Sequence, residues 1–391
     1  MDRYSKIINI INTLPSDFKT EVVDLKDAFN RILQEDILAD SDMPPFHKSA
    51  MDGYACHFED INNNLELLEI IPAGKIATKE VGKNQCSKIM TGAAVPAGCD
   101  CVFKVEDSEL INEQIIRCTN PNTAKNICYR GEDFKTGELL IKKGTIINTS
   151  QIAVMAGVGK VKLLVSKLPK IALIATGSEL VEPDQKPENG KIRNSNASQI
   201  ISQLKKMNIN VNYLGLAKDD YNKLSEQFIK TFENHDFLIF TGGASVGDFD
   251  FIPEILKDQD FKILWDRTGI KPGNPMTFSF KKNKYCFGLS GNPVSSLIQF
   301  ETIARPTIYR LMGANYNPMR IKAIIDFDLY IKKADRLNLK PVLINSNGHV
   351  EEIPFNGSAH INALVYANAL LEVQVGQNQI NKGELVYVRP L

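Results

Sequence analysis

Glycine and acidic residues crowd the ten-residue stretch TGGASVGDFD, which directly follows the apolar run DFLIF. Gly242 and Gly243 permit backbone angles and close approaches that a Cβ atom prevents, so we expect their amides and the hydroxyl of Ser245 to cradle an anion. Asp248 and Asp250 would repel a phosphate unless a cation stood between them. The stretch predicts a phosphate site completed by Mg²⁺, although a tight turn whose aspartates cap the next helix has the same composition.

A second loop with an acidic residue follows the apolar run KIALIA. The sequence TGSEL places Glu179 just after that run, and Asp219 and Asp220 follow the next strand-like segment. Ends of neighbouring parallel strands meet at one edge of a sheet, so these carboxylates are expected in the same crevice, where they would suit a divalent cation. Taken singly, each is more simply a helix cap or a solvated carboxylate. The chain has no GxxxxGK[ST] motif, and no GxGxxG motif follows KIALIA, which disfavours both P-loop and dinucleotide sites.

The elements around these loops alternate between strand and helix. KIALIA, NVNYLGLA and DFLIFT are strand-like, and stripes such as Ile200, Leu204 and Met207 between them have helical spacing. Asn194, Ser195 and Asn196 are candidate caps for the first of these helices. Strand-like FKILWD and KYCFGL follow, and then a long helical segment from Pro293 to Met312. The pattern predicts a mostly parallel sheet covered by helices on both faces, in one α/β domain over residues 169–316.

The rest of the chain has a different pattern of apolar and turn-forming residues. Residues 43–128 contain short runs between Gly, Pro and Asn, as in a small β-rich domain, and residues 317–391 resemble a C-terminal barrel or sandwich. Residues 1–40 look largely helical. Because neither residues 1–42 nor residues 129–168 are long enough to hold a core alone, we expect them to form one discontinuous module.

Composition restricts the classes of partner. The 391 residues carry 46 Lys and Arg against 46 Asp and Glu, and a net charge of zero argues against nucleic acid. No apolar run is long enough to span a membrane, and the N-terminus lacks the pattern of a secretion signal. The seven cysteines include no CxxC pair, which fits a reducing, cytoplasmic setting. The CDC sequence at Cys99 and Cys101 would point both sulfurs to one strand face, too few ligands for zinc.

Seven motifs in order give the sequence a resemblance to a known family. It is similar to the MoeA family of molybdopterin molybdenumtransferases, to which the E domain of gephyrin is related. The resemblance spans nearly the whole chain and rests on DMPPFHKSAMDGYA, TGAAVPAGCDCVFKVED, RGEDFKTGELL, IATGSEL, TGGASVGDFD, KPGNP and GLSGNPVSS.

The resemblance implies an enzyme and an architecture. Adenylylated molybdopterin and molybdate would be the substrates, the cofactor and AMP the products, and Mg²⁺ the assisting ion. The implied fold is multidomain, α/β plus β, with a central molybdopterin-binding α/β domain, a small β-rich domain, an elongated linker domain and a C-terminal β-barrel. The implied assembly is a homodimer in which residues 43–128 contribute to the partner subunit's cleft, and the molybdopterin adenylyltransferase is a candidate partner.

Matching the motifs position by position also implies roles for individual residues. Glu179, Asp248 and Asp250 would organise Mg²⁺ and phosphate, and Asp219 matches a functional aspartate of the family. Asp52 of SAMDGYA would project into the cleft of the other subunit. The remaining implied site residues are Thr91, Asp133 with Arg130, Lys271, Asn274, Pro293 and Ser358.

The chain departs from the family pattern at three positions. Asn274 stands where the family usually has the second lysine of KPGK, so one positive charge near the oxyanion is missing unless Arg267 compensates. Ser290 replaces the first proline of LPGNP, which is expected to loosen that turn. Cys128 stands where relatives often carry arginine. These differences leave room for a paralogue specialised for another oxyanion such as tungstate. Two rival hypotheses are an idle scaffold of the same fold and an adenylyltransferase, for which the central domain alone would suffice and against which the N-terminal motifs SAMDGYA and RGED argue.

Overall fold

The computed structural model describes residues 1–16, 18–218, 220–243 and 251–391. The chain forms two compact units, each assembled from separate stretches of sequence. The first comprises Met1–Glu35, Lys143–Ile152 and Lys162–Leu391, and the second comprises Asp36–Lys142 and Ala153–Val161. No helix among the described residues has both the length and the apolar character that crossing a membrane requires.

A six-stranded sheet lies at the centre of the first unit. In chain order its strands are β1 (Ile171–Thr176), β2 (Val211–Ala217), β3 (Phe237–Thr241), β4 (Lys262–Arg267), β5 (Pro275–Lys281) and β6 (Lys284–Leu289). They lie side by side in the order β2, β1, β3, β6, β5, β4. The first four are parallel to one another, whereas β5 is antiparallel to β6 and to β4. The predicted mostly parallel sheet is confirmed, and β5 is a strand that the sequence patterns did not predict.

Helices cover both faces of this sheet. They are α1 (Asn196–Lys205), α2 (Tyr221–Asn234), α3 (Ile252–Asp258), α4 (Pro293–Gln299) and α5 (Arg305–Leu311). The predicted long helical segment from Pro293 to Met312 is confirmed, and it contains a π-helical turn, Phe300–Ala304, between α4 and α5. Of the three candidate caps of α1, Asn194 does the capping, since its Oδ1 accepts from the amide of Ala197 at 3.1 Å.

Strand β1 explains why the sheet needs two layers of helices. Ile171 and Leu173 enter one core, with α1 and α4, while Ala172 and Ile174 enter a second core, with α2 and α3. All six residues of β1 are buried. Each fully buried Ile or Leu side chain contributes about 1.5–3 kcal/mol to folding, so the alternation fixes both the strand and the helices on either side.

The N-terminal segment is less helical than the sequence suggested. A helix spans Arg3–Thr13, capped by Asp2, and Tyr4, Ile7 and Ile11 pack into the first core. It ends before Pro15, because a residue that precedes proline avoids the helical region. The β-branched run that follows forms the strand Thr20–Asp24, which pairs antiparallel with Lys162–Ser166. The prediction that residues 1–40 are largely helical is therefore wrong.

A second sheet in the first unit is built mainly from the C-terminal residues. Five of its six strands lie side by side in the order Ile270–Lys271, Leu337–Ile344, Ala369–Val373, Leu385–Pro390 and Ile321–Ile324. Val350–Glu351 pairs with the second strand, Leu329–Tyr330 pairs with Gln379–Ile380, and a short helix spans Ala363–Tyr366. The first strand belongs to the loop between β4 and β5, so the second sheet is joined directly to the α/β part.

The second unit contains a six-stranded mixed sheet. In spatial order its strands are Cys101–Lys104, Gly53–Cys56, Gln85–Ile89, Asn64–Ile71, Ile115–Cys118 and Ser108–Asn112. Two smaller pairings join Lys48–Ser49 to Ile127–Cys128 and Ile37–Leu38 to Leu139–Ile141. The helix Thr149–Gly157 includes residues of both units. This sheet occupies the segment in which the sequence predicted a small β-rich domain.

The cysteines of this sheet are packing residues. Cys56 lies opposite Cys86 on one neighbouring strand and opposite Cys101 on the other, and all three are buried. Burial raises the pKa of Cys86 to about 12, so this thiol stays protonated near neutral pH. The prediction that Cys99 and Cys101 share a strand face is wrong, because Cys99 precedes the strand and packs with a different core cluster.

Candidate active site

A cavity of about 1160 Å³ lies at the carboxyl ends of β1, β3 and β6. Thr176 and Thr241, the last residues of β1 and β3, line it. Two loops also line it: the KPGNP loop (residues 271–275) and the SGNP loop (residues 290–293). Open α/β sheets bind ligands at this edge, because loops and backbone amides converge there. The cavity therefore lies where the sequence predicts a ligand.

Gly242 and Gly243 follow β3 with φ angles of +89° and +62°. A Cβ atom on Gly242 would lie 2.3 Å from the carbonyl oxygen of Thr176, and one on Gly243 would lie 2.8 Å from Thr176 Oγ1. Both the angle and the space require glycine. The Gly242 amide donates to the carbonyl oxygen of Leu289 at 3.0 Å, so it is not free to cradle an anion as predicted. Its contribution is the close approach of β1 and β3.

Glu179 lies on the cavity wall as an exposed residue. Its carboxylate oxygens are 2.7 and 2.8 Å from the point that a Cβ atom on Gly177 would occupy, so the side chain folds over that glycine. The backbone carbonyl of Glu179 accepts from the amide of Ile192 at 2.9 Å, which holds the loop in place. Exposed carboxylate oxygens at a cavity are ligands that Mg²⁺ prefers.

Four predicted site residues, Asp219, Ser245, Asp248 and Asp250, lie outside the residues that the structure describes. Of the three predicted magnesium ligands, Glu179 has a described position. Within residues 1–16, 18–218, 220–243 and 251–391, no three His, Cys, Asp or Glu side chains form a group able to hold a metal ion.

The KPGNP loop presents Lys271 and Asn274 to the cavity. Lys271 is exposed. Asn274 Oδ1 accepts from the amide of Gly269 at 3.0 Å, so half of this side-chain amide is used to close the loop. Its Nδ2 group is the part that can donate to a bound anion. The expected neutral donor at position 274 is thus compatible with the geometry, and the residue also has a structural role that the sequence did not reveal.

The SGNP loop is tied by hydrogen bonds at several points. The amide of Ser290 donates to Gln299 Oε1 at 2.8 Å, and Ser290 Oγ accepts from the amide of Asn292 at 3.2 Å. Pro293 is the first residue of α4, and the amide of Val294 donates to the carbonyl oxygen of Ser358 at 3.1 Å. A proline at 290 has no N–H and no hydroxyl. Ser290 therefore holds this turn by two hydrogen bonds that a proline could not make.

Asn196 joins the end of β3 to the SGNP loop. Its Nδ2 group donates to Thr241 Oγ1 at 2.9 Å and to the carbonyl oxygen of Gly291 at 2.8 Å. The residue is 7% exposed, and both contacts are made by one side-chain amide. The sequence indicated Asn196 only as a candidate helix cap, and no motif pointed to this bridging role.

Residues C-terminal to the α/β part also line the cavity, and the sequence did not predict them. Tyr330, Arg336, Asn338 and Lys340 line the same cavity. Lys340 Nζ lies 2.6 Å from a carboxylate oxygen of Glu352, and Arg336 Nε lies 3.4 Å from Asp335 Oδ2. Two of these residues, Asn338 and Lys340, belong to the strand Leu337–Ile344, which contains a proline that hides the strand signal. Recognising that strand would have pointed to them.

In the second unit, the structure brings Asp52 and Thr91 together. Asp52 Oδ1 accepts from the Thr91 hydroxyl at 2.6 Å and from the Thr91 amide at 2.7 Å. These two bonds, the hydroxyl bond being the larger cause, hold the pKa of Asp52 below its ordinary value. Asp52 is exposed. An exposed, ionised carboxylate held in place by a neighbouring threonine is suited to contact a cation or a donor on a ligand.

Asp133 and Arg130 lie on the turn that follows the Ile127–Cys128 strand. Arg130 Nε is 2.7 Å from Asp42 Oδ2, and the amide of Asp133 donates to the carbonyl oxygen of Met43 at 2.9 Å. Asp133 is exposed. Asp42 therefore fixes Arg130, and the backbone fixes the turn that carries Asp133.

Comparison with known families matches three successive parts of the chain. Residues 3–159 match the MoeA N-terminal region (domain I and II), residues 172–310 match a probable molybdopterin binding domain, and residues 328–391 match the MoeA C-terminal region (domain IV).

Curated relatives and solved structures match over nearly the full length. A molybdopterin molybdenumtransferase from Staphylococcus epidermidis is 36% identical over 94% of this chain and 90% of its own. One from Staphylococcus aureus is 34% identical over 97% and 92%. The crystal structure of the molybdopterin biosynthesis MoeA protein from Pyrococcus horikoshii matches with a TM-score of 0.82 and 28% identity, covering 100% of both chains.

These matches define a multidomain protein built around an α/β domain of the molybdopterin-binding type. The chain belongs to the MoeA family, the molybdopterin molybdenumtransferases.

Replacing Gly242 by alanine tests the close approach of β1 and β3. We expect Gly242→Ala to destabilise the protein by about 1–3 kcal/mol more than Gly376→Ala, because only Gly242 faces a carbonyl oxygen. Gly376 is the matched control, since its φ is +86° and a Cβ atom there would meet nothing within 4 Å. Urea unfolding measures both variants, and equal losses would contradict a packing role for Gly242.

The contact between Asp52 and Thr91 predicts a change in acidity. Thr91→Val removes the hydroxyl donor that stabilises the ionised carboxylate, so the pKa of Asp52 should rise toward its ordinary value. Carbon-13 NMR titration of the aspartate carboxyl groups measures it. Asp42 is an internal control, because hydrogen bonds from Thr136 and Arg130 lower its pKa independently. An unchanged pKa at Asp52 would show that the hydroxyl contact is immaterial.

Proposed function

We propose that this chain inserts molybdate into adenylylated molybdopterin and releases AMP. As a family member it is a transferase of molybdenum cofactor biosynthesis. The observation that carries the finer proposal is the cavity at the carboxyl ends of β1, β3 and β6. Its lining includes a lysine, an asparagine amide and a carboxylate, from Lys271, Asn274 and Glu179.

The reaction requires charge to be neutralised around a pyrophosphate. An oxygen of molybdate or water bonds to one phosphorus of the pyrophosphate, and the bond from that phosphorus to the bridging oxygen breaks. AMP is then released, and the other phosphate stays on the pterin. Lys271 and the Nδ2 group of Asn274 are the described groups that we assign to the anionic oxygens. A small dianion such as molybdate needs such concentrated charge and donors in a protein with no net charge.

Mg²⁺ is part of the proposal. We assign Glu179 to it, together with Asp248 and Asp250, because carboxylate oxygens are its preferred ligands and Glu179 has an exposed carboxylate at the cavity. The ion, when bound, would neutralise phosphate charge. The close approach of Gly242 to Thr176 brings the end of β1, three residues before Glu179, beside the end of β3.

The finer architecture is also proposed. We assign a linker domain to residues 1–42 and 129–168, a small β-rich domain to residues 43–128, the α/β domain to residues 169–316, and a C-terminal β-barrel to residues 317–391. We propose that the protein forms a homodimer in which Asp52 and Thr91 contribute to the cleft of the partner subunit. Exposed Met51, directly before Asp52, and exposed Phe46 support an interface near this motif.

An AMP-release assay tests the proposed function. The purified protein is mixed with adenylylated molybdopterin and Mg²⁺, and AMP is measured with molybdate, with tungstate and with no oxyanion. We expect molybdate to stimulate release most. Stronger stimulation by tungstate would favour a specialised paralogue, and binding of the pterin without release would favour an idle scaffold. Omitting Mg²⁺ in a fourth arm should reduce the rate.

Asn274 offers a gain-of-function prediction. Asn274→Lys adds a positive charge beside Lys271, so the molybdate concentration for half-maximal rate should fall by roughly twofold to fivefold, the range of an exposed ion pair. The effect should shrink at high salt, because salt screens exposed charges.

Asn274→Ala is the control for the hydrogen bond with Gly269, which both substitutions remove. It should raise the molybdate concentration needed. An unchanged or raised value in Asn274→Lys would show that the missing charge is immaterial or that the loop hydrogen bond outweighs it.

A further inference from the structure

Gln299 makes three hydrogen bonds while fully buried. It is the last residue of α4 and is 0% exposed. Its Nε2 group donates to the carbonyl oxygens of Gly273 at 2.8 Å and Pro275 at 2.6 Å. Its Oε1 accepts from the amide of Ser290 at 2.8 Å. One side chain therefore bonds to both the KPGNP loop and the SGNP loop.

The two loops lie at the same end of the antiparallel pair formed by β5 and β6. The KPGNP loop leads into β5 and the SGNP loop follows β6, and the ladder between these strands runs from Lys281 opposite Lys284 to Thr277 opposite Gly288. Beyond this last pair, no backbone hydrogen bond within the described part of the chain joins the loops. Gln299 continues the connection where the ladder stops.

The contact is also tight. Gly273 has a φ of +104°, and a Cβ atom there would lie 3.0 Å from Gln299 Cγ and 3.4 Å from Gln299 Nε2. Close packing and hydrogen bonds therefore act on the same backbone. Asn196 holds the SGNP loop from the side of β3, and Thr268 Oγ1 donates to the carbonyl oxygen of Gly273 at 2.8 Å, but each of these contacts involves only one of the two loops.

We infer that Gln299 is a positioning residue, which sets the spacing between the KPGNP loop, with Lys271 and Asn274, and the SGNP loop. An anion site is effective when its donors are held at the right spacing before the ligand arrives, because no reorganisation is then needed. Gln299 does this without lining the cavity itself. The inference rests on the proposed function for its kinetic readout but not for its structural one.

Replacing Gln299 by methionine tests this role. Gln299→Met keeps the volume of the side chain and removes all three hydrogen bonds. We expect the molybdate concentration for half-maximal AMP release to rise about tenfold, as for other residues that orient a binding group, with the rate at saturating molybdate changed little. A merely structural role would lower the fraction folded and leave that concentration unchanged.

Gln203→Met is the matched control. Gln203 is also buried, at 5% exposed, and it donates to the carbonyl oxygen of Leu297 and to Glu301, away from both loops. It should leave the molybdate dependence unchanged. Equal shifts in Gln299→Met and Gln203→Met would overturn the inference, as would no shift in Gln299→Met.

A double-mutant cycle gives a readout that needs no activity. Ser290→Pro removes the N–H that Gln299 Oε1 accepts. Ser290→Pro should lower the urea midpoint more in the otherwise unaltered protein than in the Gln299→Met variant. The reason is that the bond between Ser290 and Gln299 is present to be lost only in the unaltered protein. Equal changes in both backgrounds would overturn the inference. If the unaltered protein releases no AMP, the proposed function fails, and this cycle still shows whether Gln299 bonds to the SGNP loop.

Discussion

The parallel pairing of β1, β3 and β6 is the constraint on which the site depends. Their side chains are buried on both faces, so a one-residue slip would exchange the two cores. Because the three strands run in one direction, their carboxyl ends meet at one edge and deliver Thr176, Thr241 and Ser290 to one cavity. Glycine at 242 is the local consequence, since the strand ends approach too closely for a Cβ atom.

Hydrogen bonds from buried side-chain amides supply the second level of order. Asn196 links β3 to the SGNP loop, and Gln299 links that loop to the KPGNP loop. Loops alone are poorly fixed, whereas a buried amide that satisfies two or three backbone groups restrains them at little cost. The exposed Lys271 is thereby carried on a backbone that is itself held. Because the protein has no net charge, an anion site depends on where individual cationic side chains such as Lys271 are placed.

The sequence predicted the α/β part well because continuous apolar runs indicate strands that are buried on both faces. KIALIA and DFLIFT are continuous apolar runs, and both form buried strands. The prediction missed one strand of the second sheet because a proline there obscures the strand pattern. Leu337–Ile344 contains Pro341, which is tolerated because that residue has a partner strand on one side only, across from Leu370.

The site was predictable in part, for a related reason. Glycine angles and motif positions are local properties, so Gly242, Gly243 and Glu179 could be selected from sequence. Gln299 could not, because its role arises from contacts with Gly273 and Ser290, to which no motif links it. The use of the Gly242 amide and of Asn274 Oδ1 likewise depends on tertiary partners.

A single-turnover experiment tests the central claim most directly. Protein in excess over adenylylated molybdopterin is mixed with molybdate and Mg²⁺, and AMP and pterin-bound molybdenum are quantified in the same sample. A transferase should yield the two products in equal amounts and at the same rate. Release of AMP without incorporation of molybdenum, or no release of AMP from bound substrate, would contradict the proposed function.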